Sequence, residues 1–317
     1  MSNQAQALPE NQRSSAALQD MANLKDRTRK GSQGFWAQSW RRFRANRLSM
    51  VALFVTILIV AFALGAGLVS EYITGFSPTE NHLADKLAAP GENGYILGSD
   101  GNGRDVLTRL AYGGRTSLMI AGLSTVSILI IGGTLGSIAG FFGGITDTLI
   151  MRTVDMLLSI PTLALLILIS SLYRPSPAAL ALFVALLSWS GISRLVRGEV
   201  LRVRHHDFVD AARLMGAGNF RIIFRHIFPN VLPIIVVWAS LVIPGLILLE
   251  ATLSYLGVGV RVPTPSWGNM LQDSKQYVRT SWTLVFIPGF MIYITVLSIY
   301  LVGSGLRDAL DPRLSEK

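Results

Sequence analysis

The sequence contains no cysteine, which excludes disulfide bonds, thiolate catalysis and cysteine metal ligands. Charged residues are also scarce: they make up 15% of the chain, whereas soluble domains contain about 25%. The apolar share of 50% is ordinary, so the scarcity of charge is the unusual feature. It excludes a disordered chain and argues against an ordinary soluble enzyme.

Several motifs of enzymes and nucleotide-binding proteins are missing as well. No Gly-Lys pair occurs, so the chain has no Walker A loop with which to bind ATP itself. The patterns H-E-x-x-H and G-x-S-x-G are absent. His205 and His206 are adjacent, and adjacent residues on a helix point about 100° apart, which makes a poor pair of metal ligands. We therefore expect no catalytic residue, no metal site and no cofactor bound by this chain.

Six apolar runs are each long enough to cross a bilayer as a helix, which takes about 20 residues. They are Leu48–Val69, Thr116–Phe142, Asp147–Tyr173, Pro177–Val196, Val231–Gly257 and Trp282–Gly305. The predicted fold is therefore an all-α, polytopic membrane protein with six transmembrane helices. Pro161 falls inside the third run and predicts a kink there.

Lysine and arginine are distributed unequally between the two sides that this topology defines. With the N-terminus in the cytoplasm, twenty of them lie inside and eight lie outside. Because cytoplasmic loops of membrane proteins are enriched in Lys and Arg, the excess places both termini inside. It also accounts for the net charge of +9 without a nucleic acid partner.

The chain divides into four predicted regions. They are a cytoplasmic tail with an interfacial helix (1–47), a first span with an extracytoplasmic loop (48–115), a transmembrane core (116–305) and a cytoplasmic tail (306–317). Residues 1–34 have the composition of a disordered tail. The aromatic and basic residues from Phe35 to Arg47 indicate either an amphipathic helix on the membrane surface or a charged segment before the first span.

Glycines recur at every fourth position along the second run and form a ridge of small residues on one helix face: Gly132, Gly136, Gly140 and Gly144. Such a ridge lets two helices approach closely in lipid. It indicates either ordinary helix packing or a sliding contact between two halves of the bundle.

Charged residues inside the third and fifth apolar runs carry information. Arg152 and Asp155 are three positions apart on one helix and are predicted to pair, because each would cost at least about 2.5 kcal/mol if unpaired at the bilayer centre. A proton relay is the alternative. Glu250 is the only acid deep in the fifth run. It lies either on a translocation path or in a hydrogen bond to a neighbouring helix.

The loop at 197–230 carries the most specific pattern. Asp207 is predicted to cap a helix that runs to Leu214 and ends at Gly216. A second helix, Asn219–Phe228, would be capped by its own first residue and stopped by Pro229. Two short helices at an angle would form a protruding knob; the alternative is an ordinary surface loop.

This loop resembles the EAA motif of ABC importer permeases, in which Glu-Ala-Ala is followed after three residues by Gly and after nine more by I-x-L-P. Asp210-Ala211-Ala212, Gly216 and His226–Pro229 stand at the matching positions, with Asp in place of the usual Glu. The resemblance implies that the loop docks in a groove on a separate ATPase subunit. The residues it implicates are Asp207, Asp210, Ala211, Ala212, Gly216, Arg221, Arg225 and Pro229.

Four further segments resemble the dipeptide/oligopeptide/nickel branch of these permeases, on the second of its two paired subunits. They are Leu97–Arg109 (family pattern LGTDxxGRDxxSR), Asp147–Asp155, Leu256–Leu271 and Gly305–Arg313. The resemblance implies the type I ABC importer permease fold. It also implies four kinds of partner: a homologous permease, two ATPase subunits that bind the ATP, an extracytoplasmic substrate-binding protein and the bacterial inner membrane.

The resemblance therefore implies a permease subunit that imports short peptides by alternating access. Nickel chelates, glutathione and opine-like compounds stay open as substrates. An ATP-independent secondary transporter would need an inverted internal repeat, which is not seen in the sequence. A membrane enzyme would need convergent catalytic groups.

Overall fold

The computed structural model describes residues 35–310, so the predicted disordered tail 1–34 and the final residues 311–317 lie outside the described part of the chain. Within 35–310 the secondary structure is helical apart from one isolated bridge between Ser99 and Asp105. The predicted all-α fold is confirmed.

The described chain forms helices separated by short connections. They are α1 (Phe35–Ala45), α2 (Arg47–Leu64), α3 (Val106–Phe142), α4 (Gly144–Ser159), α5 (Thr162–Tyr173), α6 (Pro177–Ser188), α7 (Ser190–Val203), α8 (Asp207–Leu214), α9 (Asn219–Ile222), α10 (Phe228–Tyr255), α11 (Trp267–Ser274) and α12 (Thr283–Leu310). Shorter elements are the helical turn Ala66–Leu68, the π-helical turns Val69–Thr74 and Ile223–Ile227, and the 3-10 turns Leu83–Asp85 and Lys275–Tyr277.

Four helical segments are long and apolar enough to cross a membrane without a break: Arg47–Leu64, Val106–Phe142, Asn219–Tyr255 and Thr283–Leu310. Two further spans are bent pairs: α4 and α5 meet at 80°, and α6 and α7 meet at 49°. Counting each pair as one span gives the predicted six.

The third span is broken rather than kinked. Helix α4 ends at Ser159 and α5 resumes at Thr162, immediately after Pro161. Proline has no amide hydrogen to donate, and it disfavours helical geometry at the residue before it. These two effects explain why the predicted kink is a complete interruption of the helix.

Helix α3 starts ten residues earlier than the apolar run at Thr116 predicts. The Asp105 side chain caps the helix by accepting a hydrogen bond from the Thr108 amide at 2.7 Å. The first turn carries Arg109, which is 1% exposed and ion-paired. The ion pair compensates the charge of Arg109 at this buried position.

Helix α3 lies at the centre of the bundle and contacts α2, α6, α7 and α10. Its closest contact is with α7: a Cβ added at Gly136 would lie 2.4 Å from the Ser193 carbonyl oxygen, and one at Gly140 would lie 2.8 Å from the Arg197 carbonyl oxygen. Gly132 faces the same helix in the same way. The two backbones touch along this line, which only glycine permits.

Gly144 does not belong to this ridge. Helix α3 ends at Phe142, and Gly143 turns the chain with φ +67°. Gly144 then begins α4 with φ +55°, and within residues 35–310 no atom lies within 4 Å of the place where its Cβ would be. The four-residue periodicity continues in the sequence after the helix itself has ended.

The predicted pair of Arg152 and Asp155 is wrong. Asp155 accepts a hydrogen bond from Arg194 of α7 at 2.6 Å, and Arg152 is exposed. One turn along α7, Arg197 binds Asp147 with two bonds of 2.5 and 2.6 Å. Both acids of α4 therefore pair with arginines of the facing helix, because α7 lies close enough for the long guanidinium side chains to reach them.

Helix α1 places Trp36 and Trp40 on an exposed face, each about half exposed, while Ser39 and Phe43 on the other face are buried. It packs against α12. Asn46 then caps α2 through the Ser49 amide. The helical conformation and the two faces agree with the amphipathic alternative; the position on a membrane surface stays a prediction.

Candidate functional site

Two regions at opposite ends of α10 form the candidate site. The first, which we call the knob, comprises residues 204–228 between α7 and α10. The second, which we call the outer segment, comprises residues 257–274 between α10 and the end of α11.

Helix α8 of the knob has apolar side chains both on its buried face and at its exposed C-terminal end. Val209 and Ala212 are buried against the bundle. The far end of the helix presents apolar side chains outward: Leu214 is 90% exposed and Met215 is 81% exposed. Gly216 follows with φ +80°, a conformation that glycine adopts without strain, and it ends the helix as predicted. The knob therefore has a protruding apolar tip.

The predicted helix caps of the knob are wrong in detail. His206 occupies the N-cap position of α8, so Asp207 is the first helical residue and makes no capping bond. Its carboxylate still lies in the first turn, where a negative charge interacts favourably with the helix dipole. Gly218 rather than Asn219 precedes α9.

Pro229 does not stop the second helix of the knob. Helix α9, the π-helical turn Ile223–Ile227 and α10 form one continuous segment, Asn219–Tyr255. Pro229 lies in the first turn of α10. The altered hydrogen-bond spacing of a π-turn accommodates a residue that has no amide hydrogen. The knob is thus joined without a break to the fifth span.

Apart from Ala212, the remaining predicted knob residues lie on its surface. Asp210 pairs with Arg213 at 3.1 Å, but both side chains are about half exposed, so the pair contributes little stability. Ala211 is exposed on the same helix, whereas Ala212 is buried. Arg221 and Arg225 are exposed one turn apart.

Arg204 fixes the knob to the bundle, and the sequence analysis did not identify it. Its Nη1 donates to the carbonyl oxygen of Gly140 at 2.8 Å. The guanidinium of Arg213 lies 5.8 Å from the ring centre of Phe141, the next residue of α3. Both contacts join residues more than 60 positions apart, so no local sequence pattern reports them.

At the other end of α10, Glu250 is completely buried, with 1% of its surface exposed. One carboxylate oxygen accepts a hydrogen bond from Ser117 of α3 at 2.7 Å, and the other accepts one from Ser254 at 2.7 Å. Of the two alternatives for this residue, the geometry is that of an acid hydrogen-bonded to a neighbouring helix.

The same two serines hold the outer segment. Ser254 Oγ accepts from the Val260 amide at 3.0 Å, and Ser117 Oγ accepts from the Trp267 amide at 3.4 Å. The Trp267 indole is fully buried and donates to the carbonyl oxygen of Leu110 at 2.9 Å. Glu250 is therefore the centre of a small polar cluster between α3, α10 and α11.

A buried ion cluster holds the end of the outer segment. Asp273 of α11 accepts hydrogen bonds from Arg104 at 2.8 Å and from Arg109 at 3.4 Å. Asp100 pairs with the same two arginines at 2.7 and 3.4 Å. The arginines are 3% and 1% exposed. The motif at 97–109 drew attention to the arginines, but Asp273 lies 164 or more positions away.

The loop before α3 packs on this cluster through aromatic residues. Phe76 stacks on Tyr95 with ring centres 4.5 Å apart. The Tyr95 hydroxyl donates to the carbonyl oxygen of Gly103 at 3.3 Å. Burial and the nearby Asp85 carboxylate raise the pKa of Tyr95, so the phenol stays protonated and remains a donor.

Two sizeable cavities lie near the knob. One of about 580 Å³ is lined by α1, α7, α10 and α12, with Arg202 and Arg307 in its wall. The other, of about 420 Å³, is almost entirely apolar and lies between α3 and the segment that contains Phe224. Glu250 lines neither of them. Among residues 35–310 no three candidate metal ligands lie together.

Comparison with known proteins finds similarity along most of the chain. Residues 132–316 match the family described as binding-protein-dependent transport system inner membrane component, and residues 34–90 match the N-terminal transmembrane domain of oligopeptide transport permease C. The chain is 38% identical over 280 residues to the dipeptide transport system permease protein DppC of Alkalihalophilus pseudofirmus, covering 88% of this chain and 90% of the relative.

Two further similarities agree. The chain is 35% identical over 307 residues to the oligopeptide transport system permease protein OppC of Haemophilus influenzae, covering 96% of this chain and 97% of the relative. Its fold is similar to the inward-facing MetNI methionine ABC transporter, with a TM-score of 0.51, 22% identity, and coverage of 64% of this chain and 96% of that one. At that identity the likeness concerns the fold alone. The chain belongs to the family of binding-protein-dependent transport system inner membrane components, as a permease of the dipeptide and oligopeptide branch of ABC importers.

Proposed function

We propose that this permease is one of two homologous membrane subunits of an ATP-driven importer of short peptides. The observation that carries the proposal is the knob: an exposed apolar tip joined without a break to a membrane-spanning helix. Relatives that are 35–38% identical are named as dipeptide and oligopeptide permeases, which supports peptides as the substrate class.

The knob is the docking element for an ATPase subunit. Two adjacent large apolar side chains, Leu214 and Met215, are 90% and 81% exposed, and an apolar patch on a protruding element is typical of a protein-contact surface. Exposed charges surround this tip at Asp210, Arg221 and Arg225. They provide orientation in the ATPase groove, whereas the apolar tip provides most of the affinity.

The orientation follows from this role. ATP is cytoplasmic, so the knob and both termini lie in the cytoplasm, as the distribution of Lys and Arg indicates. The outer segment and the loop at 70–105 then face the opposite side and receive the substrate-binding protein. The four proposed regions are those of the sequence analysis: 1–47, 48–115, 116–305 and 306–317.

The broken third span is the surface for the second permease. Large apolar side chains along α4 and α5 are exposed, among them Leu149, Met156 and Leu172, which are 64 to 69% exposed. The two helices meet at an angle of 80°. A homologous permease covers this surface, and the translocation path lies between the two subunits.

The chain performs no covalent chemistry in this scheme. ATP binding closes the two ATPase subunits, which displaces the knob. Because α10 continues from the knob, the displacement is transmitted along the fifth span and changes which side of the membrane the path opens to. Alternating access of this kind requires two arrangements of the bundle that differ in free energy by only a few kcal/mol.

The proposal is tested by reconstituting the complete complex into proteoliposomes with its binding protein. We expect uptake of labelled di- to pentapeptides that requires ATP inside and the ATPase subunits. Parallel assays with nickel chelates, glutathione and an opine distinguish the other substrates that remain open. Peptide uptake that persists when the ATPase subunits are omitted would contradict the proposal and favour a secondary transporter.

A further inference from the structure

The outer segment is a rigid unit that rests on the Glu250 cluster. Ser266 and Asn269 form a reciprocal capping box at the start of α11. The Asn269 amide donates to the carbonyl oxygens of Val260 and Thr264 at 3.3 and 2.8 Å. A Cβ added at Gly268 would lie 2.6 Å from the Ala251 carbonyl oxygen, so α11 touches the backbone of α10. These internal bonds mean that the segment moves as one body.

The helix beneath it reaches to the knob. Asn219–Tyr255 is one continuous helical segment of 37 residues. At 1.5 Å per residue, Glu250 lies roughly 45 Å along the axis from the first residue of that segment. The helix continues through Pro233 and Pro244, which donate no backbone hydrogen bond, so a movement of the knob reaches Glu250 along one helical segment.

Glu250 is the point where this helix meets two other elements at once. Its carboxylate accepts from Ser117 on α3 and from Ser254 on its own helix, and both hydroxyls also accept amide hydrogens of the outer segment. If α10 moves relative to α3, the hydrogen bond between Glu250 and Ser117 must break. The hydrogen bond between the Trp267 amide and Ser117 breaks as well if the outer segment moves with α10. The hydrogen bonds of the cluster are therefore strained whenever the knob moves α10 and α3 does not follow.

We propose that Glu250 is a positioning residue that couples the outer segment to the knob, so that access at the outer face changes in step with ATP binding. The inference rests on the proposed function and adds to it: Glu250 does not touch substrate. It fixes the outer segment to α10 and α3 in one conformation and releases the bond to α3 in the other.

The test uses the complete complex with its binding protein and three variants of the cluster. Glu250→Ala removes both acceptors, Ser117→Ala removes the bond to α3, and Glu250→Gln keeps the shape but replaces one acceptor oxygen with an amide donor. Thr252→Ala is the matched control, because that hydroxyl lies on the same helix, is exposed, and donates to the Leu248 carbonyl of its own helix.

Two readouts separate coupling from mere stability. The first is ATP hydrolysis without and with substrate-loaded binding protein. We expect Glu250→Ala and Ser117→Ala to keep the basal rate and to lose about tenfold of the stimulation, the scale of one buried hydrogen bond. Glu250→Gln is expected to lie between these variants and the wild type, and Thr252→Ala is expected to match the wild type.

The second readout is the labelling rate of a single cysteine in the outer segment. The chain has no natural cysteine, so Val262→Cys, at a position that is 60% exposed, introduces one reactive thiol. We expect ATP to change its labelling rate in the wild-type background and to leave it unchanged in the Glu250→Ala background.

Normal stimulation and an ATP-dependent labelling rate in Glu250→Ala would overturn the inference while leaving the proposed function intact. Failure of all three cluster variants to assemble would overturn it too, because the cluster would then be purely structural. Absence of ATP-dependent peptide uptake in the wild type would instead contradict the proposed function.

Discussion

Leu214 offers the sharpest distinction between a docking surface and an ordinary exposed residue. Its side chain is 90% exposed in the isolated chain. Leu214→Ala should therefore change the stability of the isolated permease by less than about 0.5 kcal/mol. If the side chain becomes fully buried in an ATPase groove, its removal should weaken that complex by about 1.5–3 kcal/mol, because this is the free energy of burying a leucine.

That free energy corresponds to a roughly 10- to 150-fold increase in Kd. The assay is titration of detergent-solubilised or nanodisc-embedded permease pair with purified ATPase subunits. Leu83→Ala is the matched control: it removes the same side chain at a position that is 71% exposed on the loop before α3. Equal affinities of the Leu214→Ala and wild-type complexes would refute the assignment of the knob as the docking element.

Three further predictions concern packing, charge and the knob. Gly136→Ala should destabilise the permease by about 1–3 kcal/mol in thermal unfolding, because the new methyl group would meet a backbone oxygen at 2.4 Å; Gly133→Ala, with open space at its Cβ, should not. Asp273→Ala leaves two buried arginines to share one acid and should cost about 3 kcal/mol in the same assay, whereas Asp155→Ala, at an exposed pair, should cost less than about 1 kcal/mol. Gly216→Pro cannot adopt φ +80°; the variant should insert normally and lose ATP-dependent uptake, and unchanged uptake would refute its role in the knob.

The membrane spans were predictable because each consists of a run of residues that all lie in the lipid bilayer. Residues that face lipid need only be apolar, so composition identifies them without knowledge of their neighbours. The break in the third span was also predictable in position, because Pro161 acts through its own backbone. Its 80° angle was not, because that angle depends on the contacts of both helices.

The sequence predictions are wrong where the conformation or the pairing of a residue depends on other parts of the structure. Asp155 has Arg152 one turn away, but Arg194 on the facing helix binds it. Pro229 normally terminates a helix, but the preceding π-helical turn lets the knob continue into α10. Gly144 continues the four-residue spacing of the glycines, but the helix on which that spacing forms one face ends at Phe142.

The polar clusters were predictable only in part. Glu250 is conspicuous because it is an isolated acid in an apolar run, and the sequence therefore identified it. Its partners are serines, which are common in membrane helices and give no distinctive signal. Arg104 and Arg109 belong to a recognisable motif, but their shared acid, Asp273, is known only from the fold.

The central claim is that this permease imports peptides only when ATPase subunits act on its knob. The most direct test is uptake of a labelled peptide into proteoliposomes by the full complex, compared with a complex that carries Leu214→Ala and Met215→Ala together. The account predicts ATP-dependent uptake by the wild type and a loss of uptake in the double variant that excess ATPase subunit partly restores. Equal uptake by the two complexes at limiting ATPase concentration would contradict it.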